Sequence, residues 1–222
     1  MIPKLSICIA VFNRWAFTAN CLKDLSKLND TEIIVCDNGS SDETPSKLQN
    51  SKEIVYLRNQ ENLGFASASN RAYSVASAPN VLFLNNDIRV KDNFENWIDL
   101  LLKHCQTHLV GPTMGQLDRD LNFVQEANKE LSGNSYMSGW CVASSKTIWD
   151  KLIINGYLGP FSEEYFCYFE DTDLGWRSRQ LNIPFKVVSI PVVHFGKQTS
   201  SQLNTHKLYS EARKVFIKKW KR

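Results

Sequence analysis

The chain has 222 residues, 43% hydrophobic and 22% charged, enough for one globular domain or one domain with a small appendage. Ten Gly and seven Pro exclude collagen-like and low-complexity classes, and the apolar fraction excludes disorder. The net charge of +3 is unevenly shared: from Lys207 onward seven basic residues stand against one acid, Glu211, and the preceding body, with 19 basic and 22 acidic groups, does not have the sign of a nucleic-acid binder.

The N-terminal MIPKLSICIAVFNR has too short an apolar part for a signal peptide and no small-residue cleavage site, so LSICIAVF reads as a first strand. Helical spacing of Phe17, Cys21, Leu25 and Leu28 predicts a helix over Trp15 to Lys27. EIIVCD is a second strand, closed by Asn38-Gly39-Ser40-Ser41, and IVYLR a third. Asn62-Leu63-Gly64 leads into a small-residue helix through Tyr73, and VLFLNND is a fourth strand. Apolar runs separated by helices predict a mostly parallel sheet covered on both faces, with ligands at the carboxyl ends of its strands.

The second half is less regular. A long helix is predicted from about Phe94 to Cys105, and LVGPT reads as a strand. Leu117 to Ser132 shows no period, and SYMSGWCVAS reads as one strand containing Gly139. FCYFEDTDLGWRSRQL opens with aromatics and continues as a helix, and PFKVVSIPVVHF reads as a last strand ending at His194. At the C-terminus Leu208, Ala212, Val215, Phe216 and Trp220 share one helical face with basic residues around the rest. That helix either packs on the body with a solvated basic face or lies against anionic lipid. No run approaches the roughly 18 apolar residues of a membrane span. The six cysteines are never closer than 13 positions, which suits neither a zinc site nor a disulfide framework and points to a reducing, cytoplasmic setting.

The chemistry-bearing residues gather at the strand ends. The turn after the first strand, Asn13-Arg14-Trp15, is not a dinucleotide-binding glycine loop, and no phosphate-binding P-loop or G-x-S-x-G elbow occurs. Asp87 is either a ligand to a hard divalent cation or a helix cap. Asp37 either accepts a hydrogen bond from a nucleobase or closes a turn. In the acidic cluster Glu170, Asp171 and Asp173, Asp171 is either a cap or a general base, with Tyr165, Phe166, Tyr168 and Phe169 as an apolar wall. His194 is either a core imidazole or a metal ligand, and Trp140 beside Gly139 is either core or a platform for a sugar ring.

In their order along nearly the whole chain, IAVFNR, VCDNGSSDET, NQENLGFASASNRA, LFLNND, SGWCVAS, YFEDTDLGWR and VVHFG resemble the family-two inverting glycosyltransferases, closest to the bacterial rhamnosyltransferase-like subset. The resemblance implies an α/β GT-A fold over residues 1–200, with a nucleotide-binding half to about 113, an acceptor-side half beyond it, and a basic amphipathic helix over 201–222. It implies that Asp37 reads a uracil or thymine base, with Phe12, Asn13, Arg14 and Asn38 in the nucleotide pocket. Asn62, Gly64, Asn70 and Asn86 match the donor-binding segments. Asp87 matches the last acid of the family's D-x-D motif, and His194 a further ligand to Mn2+ or Mg2+. Asp171, next to Glu170, matches the catalytic base, and Gly139 and Trp140 fall where the acceptor subsite is expected. The function implied is inverting sugar transfer from a UDP- or dTDP-sugar to a hydroxyl of a glycan or lipid-linked acceptor in surface polysaccharide synthesis. The partners implied are the nucleotide-sugar donor, that acceptor and a peripheral membrane contact through the C-terminal helix, with no nucleic acid. One departure stands out: the D-x-D motif here is Asn85-Asn86-Asp87. That amide is the feature that suits the alternative, a non-catalytic nucleotide-sugar or glycan-binding module.

Overall fold

Residues along the first strands alternate between two faces that are both covered, which is why their sequences are apolar throughout. The computed structural model describes residues 2–91, 97–196 and 204–221. In it β1 (Leu5–Val11), β2 (Thr31–Asn38), β3 (Val55–Asn59) and β4 (Asn80–Leu84) run parallel in the order β4-β1-β2-β3, with Ile7 opposite Ile33 on one side and Leu82 on the other. Leu5, Ile7, Ile9 and Val11 pack into one core with α1 (Trp15–Leu25) and α4 (Trp97–Leu102). Cys8, Ile34 and Cys36 face the opposite core, with α3 (Phe65–Ser74) and Trp149. A short α2 (Thr44–Leu48) joins β2 to β3.

The sheet then changes direction. β10 (Cys141–Ser145) pairs antiparallel with β4, and β6 (Leu109–Gly111) and β11 (Phe185–Val187) complete the seven-stranded order β11-β6-β10-β4-β1-β2-β3. Two small antiparallel sheets flank it: β5 (Ile88–Val90) with β12 (Val192–His194), and β8 (Phe123–Ala127), β7 (Met114–Leu117) and β9 (Ser135–Met137) in the order β8-β7-β9. α5 (Lys146–Lys151) follows β10, and α6 (Glu170–Gln180) starts at the acidic cluster.

Three expectations are corrected. SYMSGWCVAS is two strands in two sheets, because the chain turns out of register at Ser138–Trp140. PFKVVSIPVVHF is likewise divided into β11 and β12, with Pro191, which has no N–H to offer a ladder, in the gap. The helix expected from Phe94 to Cys105 ends at Leu102, and its start lies outside the described residues. The patternless stretch from Leu117 contains β8, whose first four residues are all exposed and so show no apolar alternation.

The C-terminal α7 (Thr205–Trp220) docks on the body through Ala212 and Phe216, against Tyr165 and Phe169. Its rings reach Phe169, Trp176 and Trp220 around Phe216, with centroids 5.1 to 6.4 Å apart. Its end closes on the fully buried Asp173, which receives Lys219 Nζ, Trp220 Nε1 and, from α6 itself, Arg177 Nε, each at 2.8 Å. The packed-helix reading therefore holds, and the apolar face is not free to enter lipid. Lys207, Lys214, Lys218 and Lys221 stay exposed, while 201–203 and Arg222 of the expected helix lie outside the described residues. Among the described residues no helix is long and apolar enough to cross a membrane.

Because Phe216 is fully buried in a ring cluster, Phe216→Ala is expected to cost about 3–5 kcal/mol of unfolding free energy in urea titration. A loss of only about 0.5 kcal/mol, the size of a surface change, would mean that α7 is not docked.

Candidate active site

The carboxyl ends of β1, β2 and β4 open into a cavity of about 240 Å³. Phe12 at the end of β1 lines it, as do Asn38, Asn62 and Gly64 from the β2–β3 side, and Asn85, Asn86 and Asp87 after β4. Gly139 and Trp140, Phe166, Cys167 and Tyr168, and finally Glu170 and Asp171 close the other side. Ten of the residues singled out in the sequence thus share one cavity. Three of its lining residues are carboxylates and none is Lys or Arg.

Asn38 organises the floor. Its Nδ2 donates to Asn62 Oδ1 (2.8 Å) and Gly64 O (3.0 Å), and its Oδ1 accepts from Asn59 Nδ2 (2.8 Å) and Leu63 N (3.1 Å). Gly64 has φ 86, and a Cβ on it would lie 2.4 Å from Phe166 O. The tight approach of that loop to the 166–168 segment therefore requires glycine.

Five sequence candidates lie outside the lining, His194 and four others. Asp37 is fully buried; its Oδ1 accepts from Ser40 N (2.8 Å) and its Oδ2 from Tyr56 OH (3.0 Å) and Arg58 Nη1 (2.6 Å). Asn13 Oδ1 accepts from Ser41 N (2.8 Å) and so holds the turn after β2. Arg14 is exposed, in a left-handed conformation at the start of α1. Asn70, buried in α3, donates to Phe161 O (2.8 Å) and Glu163 Oε1 (2.9 Å) and accepts from Phe161 N (2.9 Å), so its amide clamps a distant loop.

Pairing of β12 with β5 sets His194 opposite Ile88, beside Asp87. His194 Nε2 lies 3.1 Å from Asp87 Oδ1 and 3.3 Å from Asn85 Nδ2. Asp87 Oδ1 is buried, and no donor is aligned to form a hydrogen bond with it. A buried carboxylate oxygen without a donor, with an imidazole nitrogen beside it, fits a divalent cation that takes its remaining ligands from a bound anion. Among the described residues no cluster of three His, Cys, Asp or Glu offers a complete cage. Asn86 lines the cavity with its Nδ2 donating to Thr18 Oγ1 (2.9 Å).

Glu170 and Asp171 form the first turn of α6, reached through Tyr168 and Phe169, both left-handed at φ 72 and 65. Two consecutive non-glycine residues in that region are strained, and they aim the turn into the cavity. Asp171 does not cap the helix from outside; its Oδ2 accepts from Gly139 N (3.0 Å) and its Oδ1 from Thr172 N (2.7 Å). A Cβ on Gly139 would stand 3.0 Å from Asp171 Cβ, so any larger residue there would press on the carboxylate. Glu170 Oε2 is buried without a partner. Burial, with the charge of Asp171 second, raises Glu170 from its ordinary range to about 8. Burial also raises Asp171, though only to about 6, because the Gly139 and Thr172 hydrogen bonds favour its charged form.

Of the expected apolar wall, Phe166 and Tyr168 line the cavity while Tyr165 and Phe169 pack toward α7. Trp140 stacks on His194, with centroids 4.6 Å apart and planes within 10°. Its Nε1 donates to Thr113 Oγ1 (2.8 Å) and Glu126 Oε1 (3.2 Å). Thr113 and Glu126 carry no signal in the sequence, one following a short strand and the other lying on exposed β8.

A family model described as Glycosyl transferase family 2 matches residues 6–138. The chain is 36% identical over 175 residues to the GalNAc(5)-diNAcBac-PP-undecaprenol beta-1,3-glucosyltransferase of Campylobacter jejuni, covering 76% of this chain and 52% of that protein. It is 30% identical over 131 residues to the UDP-Glc:alpha-D-GlcNAc-diphosphoundecaprenol beta-1,3-glucosyltransferase WfgD of Escherichia coli, covering 58% and 46%. The chain spans about half the length of these curated relatives. Among solved structures it is similar to the mannosyltransferase PcManGT of Pyrobaculum calidifontis in complex with GDP-Man and Mn2+, with TM-score 0.62 and 14% identity, over 85% of this chain and 55% of that one. That likeness shows a shared GT-A fold.

The raised carboxyl of Glu170 has a consequence for stability. Folding costs more when the group must be charged, so the cost is absent below its ordinary value of 4.5 and grows as pH rises to about 8. Glu170→Gln is expected to gain stability over the wild type progressively across that window and to match it at pH 4. A difference independent of pH in guanidinium unfolding would contradict the assignment.

Proposed function

The chain belongs to glycosyl transferase family 2, and on that premise we propose that it is an inverting transferase moving a sugar from a nucleoside-diphosphate donor to a hydroxyl of a glycan or lipid-linked acceptor. The observation that carries this is the cavity lining: Asp87, Glu170 and Asp171 converge with no basic residue among them. Such a lining repels a bare diphosphate, so the anion needs a cation brought with it. Asp87 and His194 would hold that cation, Mn2+ or Mg2+, which when bound neutralises the diphosphate and the charge on the leaving group.

Asp171 is the base. The Gly139 and Thr172 amides favour its charged form and fix its orientation. It takes the acceptor proton as the acceptor oxygen attacks the anomeric carbon from the face opposite the diphosphate. One displacement inverts the centre without an enzyme nucleophile. Burial and the neighbouring Asp171 push the Glu170 carboxyl up, toward its neutral form, which lessens the negative charge beside that oxygen. Asp37, fully buried with both oxygens already accepting hydrogen bonds, would act on a pyrimidine base only through the Ser40, Tyr56 and Arg58 groups that it holds.

For the donor, the named glucosyltransferase relatives favour UDP-glucose over the rhamnosyl donors of the closer resemblance. Both names also carry an undecaprenol-linked diphosphate, which favours a lipid-linked acceptor and a membrane surface. The exposed lysines of α7 are the contact we assign to it. Asn85, in place of an acid, favours a second reading, a module that binds nucleotide-sugar without turning it over.

Calorimetric titration with UDP, dTDP and GDP, each with and without Mn2+, tests the donor site, and a radiolabelled UDP-glucose transfer assay separates the two readings. Asp171→Asn is expected to keep Mn2+-dependent UDP binding and lose transfer by about 100-fold or more; full activity would remove Asp171 from the role. For the membrane, Lys214→Gln with Lys218→Gln should weaken co-sedimentation with phosphatidylglycerol vesicles, by about 1 kcal/mol per lysine. Equal binding to neutral vesicles would count against the contact.

A further inference from the structure

The resemblance sets Trp140 in the acceptor subsite, yet one of its faces is occupied by the His194 imidazole, in a nearly parallel stack. The indole is pinned on its edge as well. Nε1 donates to both Thr113 Oγ1 and Glu126 Oε1, and Thr113 Oγ1 itself donates to the same Glu126 oxygen at 2.8 Å. The backbone closes the arrangement, since Trp140 O accepts from Asn85 N at 2.8 Å. An indole has one N–H to orient it, so a carboxylate and a hydroxyl on that N–H fix the rotation of the ring plane. The ring plane in turn fixes the imidazole lying 4.6 Å beneath it, whose Nε2 faces Asp87.

We infer that Glu126, on exposed strand β8 and outside the cavity, is a positioning residue: with Thr113 it locks the Trp140 indole, and the indole holds His194 toward Asp87. The inference rests on the proposed function only for what His194 then binds. The geometry by itself assigns the contact chain from Glu126 to His194. It also leaves only the opposite face and the rim of the indole for an acceptor sugar. The Glu126 Oε1 accepts from both the Thr113 hydroxyl and the Trp140 N–H, so one exposed carboxylate oxygen serves the whole lock.

Two readouts test this, and the first needs no ligand. In proton NMR of the free protein, the His194 ring protons should lie upfield of those of His104, His108 and His206, because the stacked indole shields them. Glu126→Ala should remove more than half of that displacement, and so should Trp140→Phe, which keeps a ring but no N–H. Glu126→Gln retains an acceptor oxygen and should restore it. An unchanged His194 signal in Glu126→Ala would overturn the proposal. The second readout is calorimetric Mn2+ affinity at saturating UDP, expected to fall about tenfold in Glu126→Ala and to recover in Glu126→Gln, as for other groups that orient a metal-bound histidine. Unchanged Mn2+ affinity in Glu126→Ala, with binding normal in the wild type, would overturn the link to the cation. Failure of the wild type to bind Mn2+, with the upfield shift lost in Glu126→Ala, would sink the donor-centre reading and support the clamp.

Discussion

The structure turns on three residues, Ser138 to Trp140, where the chain leaves the small sheet at β9 and enters the central sheet at β10. Each makes a different tie there. Ser138 N donates to Thr113 O, Gly139 N to Asp171, and Trp140 lies between Asn85 by its carbonyl and His194 by its ring. The strand cannot continue through this point because its backbone groups are already committed to the loops around the cavity. A side chain at 139 would push on the carboxylate that the same residue's amide holds. Breaking one strand into two is thus the local cost of bringing both halves of the chain to a single site.

The electrostatics of that site follow from what surrounds it. A lining with three carboxylates and no Lys or Arg is unfavourable on its own, and burial pushes one of them, Glu170, toward its neutral form. Asp171 receives two backbone amides instead, and so shares the same turn with a different proton affinity. Asp87 is left with an oxygen that no donor satisfies, and that is the vacancy in hydrogen bonding which a cation fits.

What was legible in the sequence depended on distance along the chain. The parallel strands were readable because burial on both faces leaves an unbroken apolar run, and the site lies where such strands end. Asp87, Glu170 and Asp171 could be picked out because carboxylates beside apolar segments are unusual. Partnerships across the fold left no local trace. Nothing near Asn70 announces that its amide serves Phe161, 91 residues away, or that Asp37 is met by Tyr56 and Arg58 from the next strand. Glu126 was hidden for the opposite reason, since an exposed strand has no apolar alternation to mark it. The two runs that each hold a pair of strands, divided at Gly139 and at Pro191, show a long apolar pattern whose interruption is a single small or N–H-less residue.

The knot at Asp173 has a consequence for how the protein is made. Asp173 sits two positions after the proposed base, and two of its three close cationic or N–H donors, Lys219 and Trp220, come from the last helix. On the ribosome the parallel strands emerge early and can pair as they appear. The first turn of α6 then waits with a buried acid only partly compensated until about 50 further residues have been synthesised. The parallel strands thus pair well before the turn that carries the proposed base is locked, and a nascent chain stalled between them would hold a formed sheet beside an unfinished cavity.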